Sequence, residues 1–174
     1  MPTEISGSTG VNKIQDNTIV NADINSSAAI AGTKLVMPSG SLLQVVTSEF
    51  STDTSTTNTS LTATGHTVSI TPSSTSSKIY VMLSGSGGYS LSNGWWIGAL
   101  YRGSTNISTG MGYTQYYSST EGNATYSYNV MDLPSTTSAI TYQMYYRSNH
   151  SNNTAYYRWS DKGNPLLTAM EIAG

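Results

Sequence analysis

Between Ile14 and Leu35 the large apolar residues fall at Ile14, Ile19, Ile24, Ile30 and Leu35, roughly every five positions with one slip, among Asn, Asp, Ser, Thr, Ala and Gly. Neither regular element accounts for that spacing. On a helix a step of five advances about 140° and smears the side chains around the cylinder. On a strand an odd step sends alternate isoleucines to opposite faces. A chain that turns slightly every five residues, helped by Asn and Asp side chains bonding to nearby backbone, could aim each isoleucine the same way. One copy cannot bury that row against itself, whereas two or three copies around a common axis can. The spacing therefore predicts a thin oligomerisation stalk over 14–37, most simply threefold. The alternative reading of the stretch is a disordered polar linker.

Charged residues make up 9% of the 174-residue chain, against about 25% in ordinary soluble domains, so solubility rests on hydroxyls and amides. The net charge of −2, with seven scattered Lys and Arg, leaves no basic footprint, and nucleic-acid binding is not expected. With no cysteine there is no disulfide framework and no thiolate metal site. The N-terminal MPTEISGSTG has neither the basic nor the apolar region of a secretory signal, and no stretch approaches the roughly 18 apolar residues of a membrane span. Synthesis in the cytosol without export and without membrane insertion is the expectation. Residues 1–13 read as an arm ordered only by a partner.

After Pro38 and Gly40 the pattern changes to period two over 38–174, the predicted β-domain. Ser41 to Phe50 reads as a strand, followed by a long Ser/Thr loop with a weak edge strand near Ser60 to Ala63. His66 to Thr71 is a strand with Val68 and Ile70 inward. Ser77 to Gly85 is the strongest strand, with Ile79, Val81 and Leu83 on one face, and Gly85, Gly87 and Gly88 are expected to break it into a flexible connection. Trp95 to Gly103 follows, and GYTQYYS is a further candidate. Thr125 to Leu133 and Ala139 to Ser148 are expected to form a hairpin across Pro134 and Ser135. Ala155 to Ser160 and Leu166 to Gly174 close the chain, the latter with Leu167, Ala169, Glu171 and Ala173 sharing a face. Only Ser26 to Ala31 suits a helical turn. Eight or nine short strands with Gly, Pro, Asn or Ser between them predict an all-β fold, a jelly-roll-like antiparallel β-sandwich after an extended N-terminal stalk.

Signs of catalysis are few. His66 and His150 lie apart, without the third and fourth ligands a metal needs, so no metal and no cofactor is expected. There is no nucleophile elbow, and SGSGG at Ser84 to Gly88 lacks the Lys and Ser or Thr of a phosphate loop. A glycosidase pairing of Asp132 with Asp161, or Asp161 with Glu171, would need the carboxyls about 5 to 9.5 Å apart. The nine acidic residues are dispersed, and an enzyme is not expected.

What remains is aromatic. The chain holds 13 Tyr against one Phe. Trp95 and Trp96, Tyr116 and Tyr117, Tyr145 and Tyr146, and Tyr156 and Tyr157 come as adjacent pairs, with Tyr113 and Trp159 close to two of them. Adjacent strand residues face opposite ways, so one ring of each pair should point outward, toward another subunit or a ligand.

Taken in order, GSTGVNKIQDNTIVNADINSSAAIAGTKL followed by a Ser/Thr-rich β-domain ending in LLTAMEIAG resembles the fibre and appendage proteins of tailed bacteriophages, particularly those of cyanobacteria. The resemblance implies a virion structural protein of the tail or capsid, usually a homotrimer. Its arm over 1–13 would hold another virion protein, and its head would meet the host surface, where glycan is the expected partner. Other readings are a decoration that binds nothing outside the particle and a glycan depolymerase. Longer members carry an N-terminal adaptor domain that is not seen here, which leaves attachment to residues 1–13 or the stalk.

Overall fold

A computed structural model describes Ile24, Ser27 and residues 35–90, 94–108, 112–115, 122–159 and 163–174. The chain divides into two units, Met1–Val36 and Met37–Gly174. Of the stalk residues, Ile14, Ile19 and Ile30 lie outside the described residues, while Ile24 and Leu35 are 40% and 50% exposed. The expected helical turn at Ser26 to Ala31 also lies outside them, apart from Ser27.

The second unit is all-β and antiparallel, and the described residues contain no helix. Its strands are β1 (Leu42–Glu49), β2 (Thr54–Thr56), β3 (Thr62–Ile70), β4 (Lys78–Tyr89), β5 (Trp95–Arg102), β6 (Thr105–Asn106), β7 (Gly112–Gln115), β8 (Gly122–Asp132), β9 (Ile140–Ser148), β10 (Ala155–Arg158) and β11 (Leu166–Ile172). In one sheet β4 pairs with β8 along one edge and with β11 then β10 along the other, and β1 and β2 pair outside β11 and β10. In the other sheet the order is β3, β9, β5, with β6 and β7 sharing the free edge of β5. Both sheets feed one buried cluster. Ile79, Val81, Leu83, Tyr126, Tyr157, Leu167 and Ala169 come from the first, and Val68, Ile70, Trp96, Leu100, Tyr142, Met144 and Tyr146 from the second.

Period-two alternation decides which side chains reach that cluster. Val68 and Ile70 are 3% and 2% exposed, Ile79, Val81 and Leu83 fully buried, and Leu167, Ala169 and Glu171 likewise, as the alternation predicts. Three expectations are corrected. Gly85, Gly87 and Gly88 do not break β4, which runs through them unbroken for 12 residues paired to β8. They are strand residues because rings from other strands occupy the space a side chain would need. A β-carbon at Gly85 would fall 2.6 Å from the Tyr126 hydroxyl, and one at Gly88 2.6 Å from Cε3 of the Trp159 indole. The expected hairpin of β8 with β9 does not form either. Ser135, at a left-handed φ of 51°, turns the chain from one sheet to the other, where β9 lies between β3 and β5. Finally, the Ser/Thr stretch after Phe50 contains β2, and β3 starts at Thr62, four residues earlier than predicted, passing a bulge at Gly65 (φ 85°).

The registers give the domain two ends. At the proximal end the chain arrives at Ser41 and finishes at Ala173, tied by Gly40 N–H to Ala173 O and Ala173 N–H to Ser41 O, both 2.8 Å. The distal end carries the connections 57–61, 90–94, 116–121 and 149–154.

Candidate functional site

The adjacent aromatic pairs divide between core and surface. Trp96, Tyr146 and Tyr157 are buried, while Trp95, Tyr145 and Tyr156 beside them, and Trp159, are half-buried. Tyr113 lies in β7, where its backbone pairs with Ile97, and Tyr116 and Tyr117 lie outside the described residues. On the outer side of the second sheet Tyr145 packs on Tyr101 with ring centres 4.1 Å apart. Toward the distal end of the first sheet's outer side, Tyr156 and Trp159 stack at 4.4 Å and 17° over Gly88. Exposed Ser55 and Asn123 are the register neighbours of Tyr156 and Gly88. Below the stack Arg158 pairs with Asp53, and its Nε donates to Asn164 Oδ1 at 2.8 Å. A flat ring pair with hydroxyl, amide and neutralised charge around it can hold a ligand with an apolar face and a polar rim.

The distal loops are joined by polar bonds. Asn149 Oδ1 accepts from the Trp95 N–H at 3.1 Å and from Asn153 Nδ2 at 2.8 Å, and Asn153 Nδ2 also donates to Ser148 Oγ. Ser148 N–H donates to Asn58 O at 2.7 Å, and Arg147 reaches Thr59 O at 3.2 Å. Exposed His150 meets the Trp95 ring edge-on at 6.2 Å.

Buried titratable groups that the sequence did not single out are held by specific partners. His66 is 1% exposed, stacked on Phe50. Its Nε2 lies 2.8 Å from Ser48 O, so Nε2 carries the proton and Nδ1 accepts the Tyr157 hydroxyl at 2.6 Å. Burial lowers its pKa from the ordinary 6.5, the Ser48 carbonyl acting the other way. Tyr126 and Tyr157 are pushed well above the ordinary tyrosine range, chiefly by burial. Asp132 takes both oxygens to Arg102 at 2.8 and 2.9 Å, and the Tyr142 hydroxyl donates to it at 2.7 Å. Glu171 Oε1 accepts from the Ser73 N–H, the Ser73 hydroxyl and the Ser77 hydroxyl, and Oε2 from Gln44. Burial alone would raise the Glu171 pKa, but these donors together hold it below 4.5. Asp132 and Glu171 sit on either side of Ile79 in one register row, each committed to neighbours rather than to a cleft. Asp161 lies outside the described residues. Among the described residues no three metal-ligating side chains converge.

The outer side of the first sheet changes character along its length. One register row reads Val45, Met170, Tyr80, Met131 across β1, β11, β4 and β8. The next distal row reads Thr47, Thr168, Met82, Asn129, and further rows are mostly Ser, Thr and Asn. Proximal to the apolar row lie Leu42, Ile172 and Lys78. Val45, Met82 and Met131 are 48%, 37% and 47% exposed. No protein-family model matches the chain, and no curated protein does.

Proposed function

We propose that this chain is a homotrimeric fibre or spike of a bacteriophage virion, whose β-domain is a jelly-roll head that attaches to glycan on the host surface. Strand order supports the head assignment. Counting β1 with β2, β6 with β7 and β10 with β11 as interrupted single strands leaves eight, ordered 1-8-3-6 in one sheet and 2-7-4-5 in the other. An eight-stranded pair of sheets with Greek-key connections is the jelly roll, an architecture used by viral capsid and lectin domains.

The observation that carries the functional reading is the polarity of the domain. Both termini of the domain leave its proximal end, and four polar connections and the Tyr156 and Trp159 stack lie toward the other. In this reading residues 1–13 hold another virion protein and 14–37 wind three chains together through Ile14, Ile19, Ile24, Ile30 and Leu35. The distal half of each head then faces the host. Three weak sites on one axis, and many fibres per particle, supply avidity that no single site has.

The test is light scattering of the full chain followed by binding to an array of bacterial surface glycans. The reading expects the mass of three chains, array binding, and loss of that binding in Trp159→Ala with the mass unchanged. A monomeric mass would sink the fibre. A trimer that binds no glycan, together with unimpaired adsorption of particles lacking the protein, would make it a virion decoration instead. Shortening of a bound glycan would make it a depolymerase.

A further inference from the structure

We infer that the proximal half of the first sheet's outer side is the surface through which the heads of sister chains pack on one another. This inference rests on the trimeric reading above. In a sheet with one buried side the other side ordinarily alternates to polar residues. Here the Val45, Met170, Tyr80, Met131 row is apolar across four strands, with Leu42 on one side of it and Met82 on the other. Leu42 is 55% exposed, and Leu133, just past the end of β8, 63%. Across the three proximal rows Lys78 is the single charged side chain. Contiguous apolar surface of this kind marks an interaction site. Its Met and Tyr content with depleted charge is that of the buried centre of a protein interface.

The occupant follows from where the chain joins the domain. Leu35, Val36 and Met37 are themselves exposed and apolar, and Leu42 follows five residues after Met37. Five extended residues span at most roughly 18 Å. Chains gathered at Leu35 therefore hold their Leu42 rows close together, at an effective concentration that can reach about the millimolar range for so short a link. A foreign partner would have to compete against that tether. The apolar rows give way to Ser, Thr and Asn toward the distal end, which fits an interface confined to the part of the head next to the gathered segment. Gly88, the seat of the Trp159 ring, is eight residues along β4 from Tyr80, or roughly 26 Å, so the glycan platform lies clear of the contact.

Methionine oxidation reads the surface directly, because peroxide converts an exposed thioether to sulfoxide and spares a covered one. The full chain is treated with hydrogen peroxide while its mass is followed by light scattering, and oxidation at each methionine is measured by peptide mass spectrometry. Met82 and Met131 are expected to react more slowly than a free methionine peptide by about tenfold or more. A double variant, Val45→Asp with Met131→Asp, should keep its strand content and release Met82 to the rate of the free peptide. If the wild type is trimeric and Met82 and Met131 oxidise as fast as the peptide, the packing surface is wrong while the trimer stands. Protection of Met82 that survives in the double variant also overturns it. A wild-type mass of one chain would overturn the trimer, and this surface with it.

Discussion

Between Lys78 and Ser84, β4 buries its own Ile79, Val81 and Leu83, whereas between Gly85 and Tyr89 it offers mostly bare backbone on which other strands lay aromatic rings. The two halves share one unbroken ladder to β8. They fill the same core by opposite means. In the proximal half the strand supplies volume, and neighbours such as Leu167 and Ala169 complement it. In the distal half Tyr126 covers Gly85, Trp159 covers Gly88, and the Trp96 indole and Tyr126 ring crowd Gly87. The Tyr89 ring is seated in turn against Gly122 of β8. A strand can thus be specified by side chains it carries or by side chains it leaves room for. The second route explains a composition rich in both Gly and Tyr and poor in Phe, since rings packed near backbone and at sheet surfaces benefit from a hydroxyl that finds a partner. Tyr126 Oη illustrates this, donating to Tyr157 O at 3.0 Å.

The contrast is broken most strongly by reversing each half's rule. Leu83→Ala removes volume from the proximal half, and urea denaturation should show a loss of about 2–5 kcal/mol. Gly87→Ala adds one carbon to the distal half, where it would meet the Tyr156 backbone carbonyl, which cannot swing aside as a side chain would. A loss toward the upper end of about 1–3 kcal/mol is expected. If Gly87→Ala were neutral, the glycines would be ordinary strand residues and the ring-seat account would be wrong.

A smaller effect sharpens the comparison at the proximal end. Glu171 there joins β11 to the β3–β4 connection and to β1, as an anion with four donors and no cation among its hydrogen-bond partners. In Glu171→Gln one oxygen becomes an NH2. Gln44 cannot turn its amide to suit, because its Nε2 also donates to Thr71 O at 2.7 Å. The expected loss at neutral pH is about 1.5–3 kcal/mol, the usual worth of hydrogen bonds to a charged group. The folded Glu171 pKa is depressed, so the unfolded chain takes up its proton first as pH falls, and the wild type should lose stability through and below pH 4.5. The variant should not lose this increment. A wild type and variant with parallel pH profiles from 6 to 3 would refute the assignment.

The same contrast explains how much could be read from residue order alone. Alternation at Val68 and Ile70, at Ile79 to Leu83 and at Leu167 to Ala173 revealed the strands and their inward faces because those residues carry their own packing. The distal half of β4 was hidden because its packing partners, Tyr126 and Trp159, are far along the chain from the glycines they cover. The β8 to β9 connection was misread because Pro134 and Ser135 signal a turn, and a turn residue does not say which sheet the chain enters next. For the candidate site, adjacency of Trp95 with Trp96, Tyr145 with Tyr146 and Tyr156 with Tyr157 correctly implied one surface ring per pair. Which ring it is depends on register with strands elsewhere. His66 and Glu171 carried no local signal at all, since their partners Ser48, Tyr157, Gln44, Ser73 and Ser77 converge only in the folded sheets.

The smallest effect tests the distal core without changing its volume. His66 is neutral with its proton on Nε2, so protonation would place a hydrogen on Nδ1 facing the Tyr157 hydroxyl, which would then have to stop donating to it. Its folded pKa lies below 6.5, so between that value and the folded one the unfolded chain binds more protons than the folded chain. Stability contributed by neutral His66 is therefore present above pH 6.5 and declines as pH falls below it. The decline can be no steeper than about 1.4 kcal/mol per pH unit, the ceiling for one proton. Measured from pH 6.5 to 5, this lies above the range in which Glu171 titrates. Tyr157→Phe deletes the donor to Nδ1 while keeping the ring, and should cost about 1 kcal/mol at pH 8. It should also flatten the decline, because Nδ1 then has no hydroxyl to displace on protonation. A wild type whose stability is level over this interval, or a Tyr157→Phe variant with an unchanged slope, would show that the distal half owes nothing to the His66 and Tyr157 bond.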